Sequence, residues 1–406
     1  MADERTFIIV GASLAGAKAA ETLREEGFAG RVVLIGAEAE RPYERPPLSK
    51  DLLTGEFDPS KAYVHEATWY DEHSVELRLS TRVTAIDPAA HQITLDGGET
   101  LTYDKLLLAT GSVVRPLKVP GADLDGVRYL RTLPESEALA KAITAESRVV
   151  VIGGGWIGLE VAAAARGRGA SVALVEVAPL PLAGVLGSEV ATIFAELHRE
   201  KGVDLRVGVG VTEIRADGAA KVVVLDDGTE LPADLVVVGV GVRPNIELAQ
   251  AAGLAVDNGV LVNASLQTSD EDIYAAGDVA QHDHPTLNTQ VHVEHWANAQ
   301  AQGPAAARSM AGQAVSFDEL PFFFSDQYDL GLEYAGFVGP DGYDEVVFRG
   351  DVAGREFIAF YLKDGRLIAG LNANVWDVSD QIQAIIKSGK PVDTARLADP
   401  DVPLDS

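Results

Sequence analysis

The chain has 406 residues, 47% hydrophobic and 23% charged, which is ordinary globular composition and enough for roughly two or three domains. It contains no cysteine, so disulfides, zinc–thiolate centres, protein-ligated iron–sulfur clusters and thiol redox steps are excluded, and the composition fits the cytoplasm. A formal net charge of −28, spread without long runs of one sign, argues against nucleic acid or an anionic membrane as partner and suits a solubilising surface.

No stretch approaches the ~18 apolar residues of a membrane span. The opening "MADERTFIIVG" is acidic and runs straight into a strand, unlike a signal peptide. The first unit, "TFIIVGASLAGAKAAETLREEGFAGRVVLIGAE" (6–38), reads as strand, glycine turn, alanine-rich helix and second strand. Its first strand is apolar almost throughout, as a strand buried on both faces should be. Ala15, Gly16, Ala19 and Ala20 let the helix lie close to the sheet, and Gly27 suits its end.

Next comes "HQITLDGGETLTYDKLLLATGS" (91–112), two β runs about Asp96-Gly97-Gly98 that predict a hairpin feeding a buried strand. The pattern then repeats. "RVVVIGGGWIGLEVAAAARGRGASVALVE" (148–176) is a second strand–turn–helix–strand unit, with Gly158, Ala162, Ala163 and Ala165 on the helix and Gly169 at its end. "AAKVVVLDDGTELPADLVVVGVGVRPN" (219–245) repeats the hairpin around Asp227-Gly228. The two glycine turns lie roughly 140 residues apart, close to a typical domain length, so the duplication predicts two similar domains. From about residue 319 aromatic and alternating runs predict a small third domain with an antiparallel sheet. "DVSDQIQAIIKSG" predicts a closing helix with Ser379 as N-cap, and "DPDVPLDS" a loose tail.

The second turn, Gly153-x-Gly155-x-x-Gly158, follows a strand and opens a helix, so its backbone N–H groups can approach a pyrophosphate. Glu176 ends the next strand, where a carboxylate accepts both ribose hydroxyls of NAD and repels the 2′-phosphate of NADP; the following "VAPLPLAG" offers no arginine. NADH is therefore favoured over NADPH. The first turn is Gly11-x-Ser13-x-x-Gly16. Ser13 is small and its hydroxyl can donate to a phosphate oxygen, but taken alone this turn fits a ligand site or a plain buried turn equally. Gly36 stands at the strand-end acid position, with Glu38 two residues on.

"RPYERPPLSK" (41–50), "LLLATGS" (106–112), "YLRTL" (129–133), "GGGWIGLE" (153–160), "VGVGVRPN" (238–245), "IYAAGDVA" (273–280), "HVEHWANAQAQG" (292–303) and "FFFSDQYDLGLEYAG" (322–336) occur in one order. In these motifs the whole chain resembles the FAD-dependent ferredoxin reductases of the putidaredoxin, rubredoxin and biphenyl-dioxygenase reductase type, with glutathione reductase and apoptosis-inducing factor as wider relatives. The resemblance implies an α/β fold of two Rossmann-like nucleotide-binding domains plus a small α+β C-terminal domain. The implied boundaries are 1–113 with 239–318 for FAD, 114–238 for NAD, and 319–406 for the interface domain.

The resemblance further implies that FAD lies on Gly11, Ser13, Leu14, Ala15 and Gly16, with Glu38 at the adenosine ribose. Arg45, Lys50, Arg82, Val83, Ala109, Thr110, Gly111, Arg131, Gly277, Asp278, Glu294, His295 and Trp296 are the other implied FAD contacts. Asp278 also suits a helix N-cap, and Trp296 also suits core packing. NADH is implied at Gly153, Gly155, Trp156, Ile157, Gly158, Glu160, Glu176 and Gly241. Lys50 and Glu160 are the implied catalytic pair, meeting across the flavin, although a plain structural ion pair has the same chemistry. Two departures stand out. Gly184 replaces an arginine common in the family, and Ala37 replaces an acid.

The implied activity passes hydride from NADH to FAD and then single electrons to a small iron–sulfur protein serving a cytochrome P450 or a ring-hydroxylating oxygenase. An NADH oxidase-like flavoprotein and an NADH-sensing flavoprotein acting by binding are the alternatives; relatives that need a redox cysteine are excluded. No metal is expected. The histidines of "HDHP" and "HVEH" suit solvent or backbone bonds. Ferredoxins are usually acidic, so docking onto this acidic chain needs a local basic patch, with Arg308, Arg349, Arg355, Lys363, Arg366, Lys387 and Lys390 as candidates. A monomer or a homodimer is expected.

Overall fold

The computed structural model describes residues 3–404. The chain divides into two compact units. The first combines the chain up to Glu44 with Ser60–Val113 and Arg243–Pro321; the second combines Arg45–Pro59, Val114–Val242 and the chain from Phe322 onward.

The first unit is built on a five-stranded sheet in the order Ile273–Ala275, Lys105–Leu108, Thr6–Val10, Arg31–Ile35, Val75–Arg78. Every neighbouring pair is parallel. The apolar run that predicted a doubly covered strand is just that: Phe7, Ile8 and Ile9 are fully buried, as are Val32, Val33, Leu34, Leu106 and Leu107. Each such side chain contributes about 1.5–3 kcal/mol by leaving water. The helix Leu14–Glu25 lies close to the helix Trp296–Met310, and its small residues Ala15, Gly16, Ala19 and Ala20 are all buried. Phe28, just past the helix end, stacks on Phe7 with ring centroids 4.0 Å apart. The hairpin about Asp96–Gly98 joins Gln92–Leu95 to Thr100–Thr102 and is followed by the buried strand Lys105–Leu108.

The second unit repeats this plan. Its parallel sheet runs Asp204–Val207, Ser171–Glu176, Arg148–Ile152, Leu235–Val238, Val127–Tyr129. The helix Trp156–Gly167 follows the glycine turn, and Ala162 and Ala165 are fully buried. The hairpin about Asp227-Gly228 joins Ala220–Leu225 to Glu230–Ala233. The C-terminal part is a five-stranded antiparallel sheet in the order Phe322–Gln327, Leu330–Gly336, Arg366–Ala373, Glu356–Lys363, Glu345–Asp351.

Two expectations are corrected here. Ser379 is the first residue of the helix Ser379–Ser388, not its cap; the N-cap is Val378, which makes no side-chain capping bond. The stretch "DPDVPLDS" is docked up to Val402. Arg349 donates through Nη2 to the carbonyls of Pro400 at 3.2 Å and Val402 at 2.8 Å, behind a short helix, Thr394–Ala398, capped by Asp393. Asp405 and Ser406, the end of that stretch, lie outside the described residues. No helix among the described residues is long and apolar enough to cross a membrane.

Candidate functional site

In the first unit the glycine turn sits hard against its neighbours. Gly11 has φ +120, and a Cβ there would run into the carbonyl of Ala109; a Cβ at Gly16 would run into the carbonyl of Gly11. Backbone therefore packs on backbone at the mouth of the turn, which only glycine allows. Ser13 is the N-cap of the helix Leu14–Glu25, and its side chain makes no capping bond, so the helix N-terminus keeps its N–H groups and positive dipole end for something else. Leu14 and Ala15 are buried in that first turn.

Three further segments converge on this turn. Gly277, at φ +77, is seated between Ala15 and Ala299: a Cβ would lie 3.1 Å from that of Ala15 and 3.8 Å from that of Ala299. Its N–H donates to Gln302 Oε1 at 2.9 Å. Asp278 lies inside a short 3₁₀ turn, Gly277–Val279, whose N-cap is Ala276, and His292 Nε2 donates to its carbonyl at 2.8 Å. The N-cap role considered for Asp278 is thus not realised. Ala109 donates to Val10, Thr110 Oγ1 donates to the Asn245 carbonyl at 3.0 Å, and the Asn245 N–H returns to Gly111. His295 is the N-cap of the helix Trp296–Met310, its side chain making no capping bond, and Ser112 Oγ donates to Glu294 at 3.1 Å. Burial lifts the carboxyl of Glu44, with the nearby Trp296 indole acting against it. Uncapped N–H groups around a seat of small residues fit the diphosphate of a dinucleotide.

The rim of this site is looser. Glu38 accepts from Tyr43 Oη at 2.5 Å. Gly36 stands where the second unit has its strand-end acid, and a Cβ there would lie 2.7 Å from that of Ala12. An acid is absent for want of room beside the turn. Val83 is buried opposite Leu95, and Arg82 contributes its carbonyl to Asp96.

In the second unit Gly153, at φ +107, and Gly158 repeat the backbone contacts of Gly11 and Gly16. Gly155 caps the helix Trp156–Gly167 and has open space where a Cβ would be. Glu176 Oε2 accepts from the Gly154 N–H at 2.6 Å and Oε1 from the Ala178 N–H at 2.8 Å, so the acid is locked onto the turn itself. Trp156 packs edge-on to Phe194 and Phe323, while Ile157 is 42% exposed at the turn. Gly241 accepts from the Arg115 N–H at 2.9 Å.

Residues 45–59 belong to this unit, held by Ser136 Oγ on the Leu48 carbonyl at 2.6 Å and Arg168 Nη1 on the Leu53 carbonyl at 2.8 Å. Arg45 donates to the Arg131 carbonyl. Lys50 Nζ lies 3.0 Å from Glu160 Oε1, and their side chains are 13% and 4% exposed. This is a direct ion pair. Two serines that sequence reasoning missed complete it: Ser49 Oγ donates to Glu160 Oε2 at 2.5 Å, and Ser325 Oγ to Oε1 at 2.7 Å. The available signal was a lone serine in the aromatic run "FFFSDQ", on the buried face of its strand with Phe323 and Gln327. Burial raises the neighbouring Asp326, with Lys50 opposing and Glu160 reinforcing.

The candidate basic patch is largely spent. Arg308 pairs with Glu26, Arg355 with Glu200, Lys363 with Asp344, and Arg349 holds the C-terminal stretch. Among the described residues no group of acids and histidines has metal-binding geometry.

Two parallel-sheet units, each carrying a dinucleotide turn, define a two-nucleotide α/β oxidoreductase scaffold. The chain belongs to the pyridine nucleotide-disulphide oxidoreductase family, whose model matches residues 5–303, and the reductase C-terminal model matches residues 322–406. It is 42% identical to the anthranilate 1,2-dioxygenase system ferredoxin–NAD(+) reductase component of Burkholderia cepacia, covering 98% of each chain. It is 40% identical to putidaredoxin reductase CamA of Pseudomonas putida, covering 98% of this chain and 95% of that one. Among solved structures it matches the covalent putidaredoxin reductase–putidaredoxin complex with a TM-score of 0.94 at 39% identity, over 98% of this chain and 97% of that chain.

Proposed function

We propose that this chain is an FAD-dependent NADH:ferredoxin reductase that supplies electrons to an oxygenase or a cytochrome P450. The observation that carries the reading is the pairing of two dinucleotide turns with a complete absence of cysteine. Electrons taken from a nicotinamide cannot pass to a protein dithiol, so they leave through a separate acceptor, and full-length likeness to ferredoxin reductases points to an iron–sulfur protein. FAD, when bound, supplies the conversion of a two-electron donor into single-electron steps.

The residues of the chain bind and orient. Gly11, Ser13, Leu14, Ala15, Gly16, Gly277 and Asp278 would hold the FAD diphosphate, and Glu38 the adenosine ribose. Thr110, Gly111, Arg45, Arg131, Glu294, His295 and Trp296 would line the remainder, with Arg82, Val83 and Ala109 at the edge. Gly153, Gly155, Trp156, Ile157, Gly158 and Gly241 would hold NADH, with Glu176 selecting against a 2′-phosphate. Lys50 and Glu160 would serve the nicotinamide end. On this reading 1–113 with 239–318 is the FAD domain, 114–238 the NAD domain and 319–406 the interface domain. The compartment that fits is the cytoplasm.

The test is an anaerobic NADH titration of the yellow holoprotein, followed by a panel of iron–sulfur proteins. NADH is expected to bleach the flavin and a ferredoxin to accelerate its return. Bleaching that no ferredoxin reverses, with air reoxidising the flavin at a catalytic rate, would replace this reading with an NADH oxidase.

A further inference from the structure

We infer that Ser325, Gln327, His198 and Tyr328 are positioning residues, forming a one-way chain of hydrogen bonds that ends on Glu160 and fixes its carboxylate toward Lys50. The inference rests on the reading of Glu160 given above. The chain runs through the interior: Ser325 and Gln327 are each 1% exposed and His198 is fully buried. Ser325 Oγ lies 2.7 Å from Glu160 Oε1, Gln327 Nε2 lies 3.3 Å from Ser325 Oγ, His198 Nε2 lies 2.8 Å from Gln327 Oε1, and Tyr328 Oη lies 3.4 Å from His198 Nδ1.

Its direction follows from the chemistry of its end. A carboxylate only accepts, so Ser325 spends its single proton on Glu160. The serine oxygen must then accept from the Gln327 amide, which turns the amide oxygen to His198. That oxygen needs a donor, which places the imidazole proton on Nε2. Nδ1 is left as an acceptor for the phenol of Tyr328. Burial holds the imidazole below its ordinary titration range, so at neutral pH it carries one proton and can take only one of its two tautomers. Every donor points the same way, and bonds aligned in series polarise one another.

The chain explains the alternation of "FSDQ" inside an aromatic strand. Phe323, Ser325 and Gln327 share the buried face, and two of the three are polar. A strand that only had to pack would place apolar side chains there. The strongest contacts, at 2.7 and 2.8 Å, are those that set the serine proton and the imidazole tautomer; the longer ones join them.

The test uses the holoprotein and two independent readouts. In ¹⁵N-histidine NMR, with the His198 signals assigned by their loss in H198Q, the Nε2–H tautomer is expected; Nδ1–H or an imidazolium at neutral pH would overturn the inference. In stopped-flow reduction by saturating NADH, S325A is expected to slow flavin bleaching about tenfold, the low end for a lost bond to a charged group, while S325T keeps the hydroxyl and the rate. In an E160Q background S325A should have no further effect. An unchanged rate in E160Q alone would overturn the Glu160 reading, and this inference with it. A slowed E160Q with an unchanged S325A, or with losses that multiply in the double variant, would overturn this inference alone.

Discussion

Lys50→Met is the sharpest probe of the buried ion pair. Glu160 is almost fully enclosed, and Lys50 is its only cationic partner among its described hydrogen bonds and ion pairs. Removing one member of a buried pair typically costs 3–5 kcal/mol because the other charge is stranded. Here Ser49 and Ser325 still donate to the carboxylate, so the expected loss is at the low end, about 3 kcal/mol. Removing the other member is cheaper. Glu160→Gln keeps an acceptor for the hydroxyls, and the lysine stem lets its ammonium reach water, so about 1 kcal/mol is expected. The double variant K50M/E160Q should be more stable than K50M alone, since it strands no charge. At about 1.2 °C per kcal/mol for a chain of 406 residues, K50M should lower the thermal midpoint by about 3–4 °C and E160Q by about 1 °C. Far-UV circular dichroism melts of the three variants measure this. A K50M midpoint no lower than that of E160Q, or a double variant below K50M, would refute the argument that the carboxylate depends on the ammonium.

Other expectations follow from the two glycine turns and the buried histidines. Ser13→Gly should change FAD affinity by less than about threefold, because the serine side chain makes no capping bond that glycine would lose; Gly277→Ala, forced onto Ala15 at positive φ, should weaken it by at least about tenfold, both read by flavin fluorescence on dilution. Glu176→Gln should reduce the preference for NADH over NADPH by about tenfold in kcat/KM, as a repulsive charge is removed from the ribose end. Burial, helped by His284 and His292, pushes His282 down from 6.5 to about 4. The unfolded chain therefore binds the extra proton between those values. The stability this group contributes is whole above pH 6.5 and falls by about 3 kcal/mol as pH drops toward 4. Thermal midpoints at pH 7 and pH 4.5 should show a smaller acid loss in His282→Asn than in the parent; equal losses would remove His282 from the account.

Much of the architecture was legible because it is local. Each glycine turn sits between an apolar strand and a small-residue helix within one short segment, and each hairpin announces itself by an Asp-Gly turn. What was hidden is contact between distant segments. The serines on Glu160 come from positions 111 and 165 residues away in the chain, and no periodicity ties them to it. Gly36 looked like a missing acid, yet only the fold places Ala12 against it. The ordered C-terminal stretch depends on Arg349 reaching backbone carbonyls, a bond that composition does not betray because any residue can offer the acceptor. Four of the seven candidate patch cations are engaged for a related reason: whether a surface cation is available depends on which acids and carbonyls the fold brings beside it.

The strand order of the first unit has a consequence for how the molecule is made. Lys105–Leu108 gains its outer neighbour only when Ile273–Ala275 arrives, and the whole parallel sheet of the second unit lies between them in the chain. On the ribosome, the early sheet must therefore wait with an open hydrogen-bonding edge while well over a hundred further residues are added, a delay of about 10–30 s at ordinary elongation rates. Parallel edges held open are slow to close and prone to wrong partners. Fragments ending after the second glycine unit should accordingly collect as aggregates, and yield of the intact protein should respond to synthesis rate and chaperone supply more than to the stability of the finished fold.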